Sequence, residues 1–189
     1  MITGQYVFFG DVLFDDVPLD EIIQEDTPYR ITTERSMDHL VRSVGLTGIL
    51  HPVILMKEGG KEYNPGYVIV SGHRRIEAVK QAGGTFVSAR VVDASKDEAA
   101  AKLFCARAAV VDNAFSRPLN MVEKAKGVLL LHQYMELEQI VKDSPALFNE
   151  PLNRHIAKNL LIVGSQAGDI HWMILESRLS IKTVVTLET

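Results

Sequence analysis

The stretch Val68-Ile69-Val70-Ser71-Gly72-His73-Arg74-Arg75-Ile76-Glu77-Ala78 constrains the fold more than any other. It reads as an apolar strand, a tight Ser-Gly turn, then a helix whose first turn carries His73, Arg74 and Arg75. A helix start presents backbone N–H groups and the positive end of the helix dipole, so it attracts anions. Arginines there oppose the dipole, a locally unfavourable choice that a bound anion would compensate. Their guanidinium groups can also grip phosphate oxygens two at a time. The competing reading is a surface helix whose arginines form structural salt bridges. A single glycine before a helix does not decide between the two.

The flanking pattern fits a mixed α/β unit. Tyr6 to Phe9 and Val12 to Phe14 flank Gly10-Asp11, the signature of a two-residue hairpin. Val17 to Ile23 is a further apolar segment that reads as a short strand. Thr27 to Thr32 should be extended, because Pro28 disfavours helix in the residue before it. Met37, Leu40, Val41 and Val44 recur at helical spacing, with Thr33 or Ser36 as cap and Gly45 and Gly48 as the stop. Val53 to Met56 and Phe86 to Val92 read as strands, and 58–66 as a polar turn. A helix is expected from Lys96 to Val111, then a loop over 112–119 that contains Pro118. Beyond Asn120 the pattern is wholly helical, and Asn120 with Glu123 has the form of a capping box. The expected class is α+β, with a mixed unit over 1–111, a connecting loop over 112–119 and a helical unit over 120–189.

A chain of 189 residues can hold one large domain or two small ones. It has no run of 18 apolar residues, so no membrane-spanning helix is expected. Its opening lacks the basic start and small-residue cleavage site of a signal peptide. The one cysteine, Cys105, excludes an internal disulfide and a cysteine-built metal site, and reads as a buried, inert thiol. These features fit a cytoplasmic protein. The net charge of −4 speaks against a nucleic-acid partner until its distribution is considered. Residues 1–35 hold eight acids and two bases, so the remainder is net +2. That permits a DNA-binding face without establishing one. His39, His51, His132, His155 and His171 show no metal-ligand spacing and read as surface or helix-packing residues. Trp172 reads as core.

Three segments, in order and sensibly spaced, resemble the boxes of the ParB family of chromosome- and plasmid-partition proteins. Pro28-Tyr29-Arg30 followed by Leu40 to Val53 resembles the first, and Gly72-His73-Arg74-Arg75-Ile76-Glu77-Ala78 the second. The third is Asp112-Asn113-Ala114-Phe115-Ser116-Arg117 with Leu119 to Ala125. The resemblance implies a mixed ParB/sulfiredoxin-like fold and a bound nucleotide, CTP with Mg2+. Gly72, Arg74 and Arg75, with Ser71 and His73 of the same turn, would hold phosphates, and Thr32 would line the pocket. Asp112 and Asn113 would sit by the triphosphate and metal or position water, in a catalytic role if CTP is hydrolysed. A carboxylate beside an amide suits Mg2+, which prefers oxygen ligands. Arg117 would be the arginine of the third box. This chain departs from the pattern in four places. His73 and Asp112 replace glutamates, Ser116 stands where the family has its arginine, and Pro118 stiffens the segment. These departures bear on hydrolysis more than on binding, because catalytic groups must be held more tightly than phosphate clamps.

The second half resembles the family's helix-turn-helix domain. Glu136 to Phe148 would be its first helix, interrupted by Pro145. Asn149-Glu150-Pro151 would be the turn, and Leu152 to Leu161 the recognition helix. Asn153, Arg154, His155 and Lys158 are residue types that meet base edges or phosphates in the major groove. The competing reading is a helical unit that only packs against the first half or a partner. The resemblance implies a homodimer, two protomers closing as a clamp on DNA, although this sequence stops at Thr189 without the C-terminal dimerisation domain that the family usually adds. The expectation is a CTP-dependent DNA-binding protein of the partition or transcription-regulator type, with weak CTP hydrolysis left open. The alternatives are a ParB-fold enzyme, kinase-like or nuclease-like, and a scaffold with a vestigial pocket. A kinase would favour ATP or ADP. A two-metal nuclease would need a second carboxylate cluster, which the sequence lacks.

Overall fold

The computed structural model describes residues 12–23, 27–33, 36–57, 66–95 and 97–188, with side chains from Asp15 to Leu187 within those bounds. The expected hairpin around Gly10-Asp11 and the body of the polar turn at 58–65 lie outside them. The class is α+β. The chain forms two compact units, 1–25 with 37–101 and 26–36 with 102–189.

In the first unit β-branched and aliphatic runs make the strands, since such side chains pack well on a pleated surface. They are β1 (Val12–Pro18), β2 (Ile22–Ile23), β3 (Val53–Lys57), β4 (Tyr67–Ser71) and β5 (Phe86–Asp93). Their order is β1-β5-β3-β4-β2. β1 pairs antiparallel with β5 and β3 antiparallel with β4, while β3–β5 and β2–β4 are parallel. Alternate residues Val87, Ala89 and Val91 of β5 join Val53, Leu55 and Ile69 in one apolar core. The helix α2 (His73–Gln81) contributes Ile76, Ala78 and Val79 to it. Each fully buried valine, leucine or isoleucine side chain there contributes about 1.5–3 kcal/mol. The helix α1 (Asp38–Thr47) packs Leu40, Val41 and Val44 on the same core. It starts at Met37 without a side-chain cap and ends at Gly48, φ +69°. Gly45 stays inside the helix, because the Gly48 N–H still reaches the Val44 carbonyl at 2.8 Å. The expected strand from Val17 is instead the end of β1, a single 3-10 turn over Leu19–Glu21, and β2.

The second unit is helical. It holds most of α3 (Glu98–Ser116), then α4 (Met121–His132), α5 (Leu137–Phe148), α6 (Arg154–Gly164), α7 (Gly168–Leu175) and α8 (Ile181–Glu188). The loop expected over 112–119 is corrected, since α3 runs through Asp112 and Asn113 to Ser116. Its buried stripe of Cys105, Ala106, Ala109 and Val110 continues to Ala114. The polar side chains fold back on the helix, Asn113 Nδ2 donating to the Ala109 carbonyl at 2.7 Å. Nothing breaks the helix before Pro118. Burial pushes the Cys105 thiol up to about 12, as an inert thiol requires.

Thr27 to Thr32 is not extended throughout. Pro28 starts a turn closed by Arg30 N–H to Thr27 O at 3.1 Å, as its preset φ favours. Tyr29 and Ile31 are buried. Pro145 does not interrupt α5. The Val141 carbonyl it leaves without its usual donor accepts instead from the Ser144 hydroxyl at 2.8 Å. α4 and α6 cross closely at Gly164, where a Cβ would stand 2.5 Å from the Ala125 carbonyl oxygen. Trp172 is not core. It is 49% exposed, with the Arg178 guanidinium 5.3 Å from its ring centre. His171 is the packed one, its Nε2 lying 2.7 Å from the Val163 carbonyl.

Candidate functional site

Strand β4 ends at buried Ser71, and the chain must bend sharply to start α2. Gly72 makes that bend at φ +102°, a left-handed conformation. A Cβ there would stand 2.5 Å from Val53 Cγ1, so both dihedral and space call for glycine. Having no side chain, Gly72 brings no capping oxygen to α2, and the first turn carries no acid. The helix start is thus polarised towards an anion.

His73, Arg74 and Arg75 are half-buried around this start. Arg75 also has a structural task, its Nη1 donating to the His51 and Pro52 carbonyls, both at 2.9 Å. It ties the approach to β3 onto α2. Arg74 makes a softer contact, Nε to Met37 Sδ at 3.5 Å.

The other expected nucleotide residues, Thr32, Asp112, Asn113 and Arg117, belong to the second unit. Asp112 and Asn113 stand half-buried on α3. Arg117, the arginine of the third box, pairs with Glu123, with Nη1 and Nη2 each 2.7 Å from a carboxylate oxygen. Glu123 is fully buried. It also accepts from the N–H and hydroxyl of Thr33 and from the N–H of Asn120, all at 3.0 Å. Asn120 completes the capping box, its Oδ1 accepting from Glu123 N–H at 2.9 Å. Burial alone would raise the Glu123 pKa. The Arg117 hydrogen bonds and the Thr33 and Asn120 N–H groups reverse that and hold it at about 2. The capping-box spacing pointed to Glu123, but Thr33, read from sequence only as a possible helix cap, carried no signal for its bonds to Glu123. Among the described residues no group of three or more His, Cys, Asp or Glu could hold a metal ion.

Asn153 is the N-cap of α6, its side chain accepting from Ile156 N–H at 2.8 Å. Its side-chain oxygen therefore serves the helix. Arg154, His155 and Lys158 are exposed on α6 and share a face. Arg154 Nη2 lies 2.8 Å from Glu138 Oε1, and His155 Nε2 lies 3.3 Å from Asn159 Nδ2. Between α5 and α6, the Ser144 hydroxyl accepts from Leu152 N–H at 2.8 Å. Neither Glu138 nor Ser144 was singled out from sequence. No described helix is long and apolar enough to cross a membrane.

Residues 10–106 match the ParB N-terminal domain family. A probable chromosome-partitioning protein ParB from Helicobacter pylori is 26% identical over 171 residues, covering 87% of this chain and 52% of that protein. The chain thus spans about half the length of that relative. Two solved structures of the C-terminally truncated chromosome-partitioning protein ParB from Caulobacter crescentus are also similar. The one complexed with CTP-γ-S is 19% identical, covers 91% of this chain and 89% of that one, and gives a TM-score of 0.42. The one complexed to the centromeric parS site is 18% identical, covers 88% and 80%, and gives 0.48.

Proposed function

This chain belongs to the ParB N-terminal domain family, and from that premise we propose that it is a CTP-dependent DNA-binding protein of the partition or transcription-regulator type. The observation that carries the nucleotide half is the Gly72 bend. It launches a helix start that has no side-chain cap and no acid in its first turn, beside two arginines. Backbone N–H groups there and the Arg74 guanidinium suit the phosphates of a nucleotide. Arg75 holds the helix start against the His51 and Pro52 carbonyls and adds positive charge.

Mg2+ in this reading is carried mainly by the nucleotide's phosphates, as is usual for an ion that keeps several waters and takes one or two carboxylates. Asp112 is the carboxylate the family pattern assigns to it, with Asn113 beside it. Hydrolysis forms no part of the proposal. In the second unit, the Arg154, His155 and Lys158 face of α6 is assigned to DNA, and the working species is a homodimer.

Retention on DNA in the presence of each of the four nucleoside triphosphates with Mg2+, at a stated salt concentration, tests the whole reading. CTP should raise retention above the nucleotide-free level and the others should not. Retention that ignores nucleotide would contradict it, and a response to ATP alone would favour the kinase-like alternative.

A further inference from the structure

The α6 face assigned to DNA contains an acidic residue. Glu138, in the first turn of α5, places Oε1 2.8 Å from Arg154 Nη2. The two side chains are 62% and 66% exposed, and ion pairs so exposed add little to stability. In this geometry the pair aims the Arg154 guanidinium at a carboxylate and offsets its positive charge. The Glu138 carboxyl is held below its ordinary range by its own backbone N–H, then by Arg154 and, more weakly, by Lys158. One carboxylate therefore faces two of the bases expected to meet DNA.

We propose that Glu138 is an electrostatic gate on the recognition helix, holding Arg154 off backbone phosphates and so weakening sequence-independent binding. Discrimination between partners commonly relies on such a repulsive element as well as on attraction. A duplex whose contacts with α6 are complete displaces the carboxylate from Arg154. A duplex offering only phosphates has to work against it. This inference rests on the DNA-binding reading above.

The test measures affinity for a random-sequence DNA duplex between about 50 and 200 mM salt. It compares the unaltered protein, Glu138→Gln, Arg154→Gln and the double variant. Glu138→Gln should bind roughly three- to tenfold tighter. Its plot of log affinity against log salt should steepen by about 0.9, the worth of one further phosphate contact. In the Arg154→Gln background the same substitution should gain clearly less. A purely structural role for Glu138 would move the unfolding midpoint and leave the salt slope unchanged. The gate is overturned if Glu138→Gln binds no tighter, or if its gain is equal with and without Arg154. If none of the four proteins binds the duplex at low salt, the assignment of α6 to DNA falls, and the gate with it.

Discussion

Glu123 is a fully buried carboxylate that remains an anion because its oxygens are matched by Arg117, Thr33 and Asn120. Such a group is expensive to bury alone and tolerable only when paired and hydrogen-bonded. Its folded pKa, about 2, lies below the ordinary 4.5. The stability it contributes is therefore complete above the ordinary value and is lost as pH falls from about 4.5 towards 2. Urea unfolding should give a stability that falls as pH drops through that window. Glu123→Gln should show a shallower fall, and an equally steep one would contradict the assignment. From the sequence, Asn120 and Glu123 were legible as a capping box, because capping is local. The rest of the cluster was not, since Thr33 lies 90 positions before Glu123 and no short-range pattern joins them. Arg117 was legible as a base near a phosphate box and illegible as the partner of a buried acid.

Among the elements, one hydroxyl serves both the proline of α5 and the segment leading to α6. Ser144 donates to the Val141 carbonyl that Pro145 leaves without its usual donor, and accepts from Leu152 N–H in the segment leading to α6. Removing it strands a buried donor and an acceptor at once. Ser144→Ala should cost about 1–3 kcal/mol by chemical denaturation. Adding Pro145→Ala should restore part of that, because a backbone N–H at 145 can reach the Val141 carbonyl. An unchanged midpoint in Ser144→Ala would refute this account of how the helix passes its proline. The same element shows why helix ends are harder to read than helix existence. Pro145 signalled an interruption, and the compensating hydroxyl beside it carried no conspicuous signal. Likewise Asp112-Asn113 signalled a loop by polarity, while the buried stripe through Val110 and Ala114 kept α3 going.

Across the whole molecule, the change from strands to helices after Asp93 in the described residues was legible because the hydrophobic period changes along the chain. The assignment of 26–36 to the helical unit was not. That segment has the extended, proline-containing look of a connector, and only tertiary contacts such as Thr33 with Glu123 give it a home. The proposed nucleotide site turns on the Gly72 bend, where glycine's conformation, the helix start and Arg74 meet. Calorimetric titration of CTP with Mg2+ into the folded protein tests it most directly, with Arg74→Ala in parallel. Saturable binding is expected, weakened in Arg74→Ala by about 1.5–3 kcal/mol, the worth of a charged hydrogen bond. No binding heat from the folded protein, or equal affinity in Arg74→Ala, would contradict it.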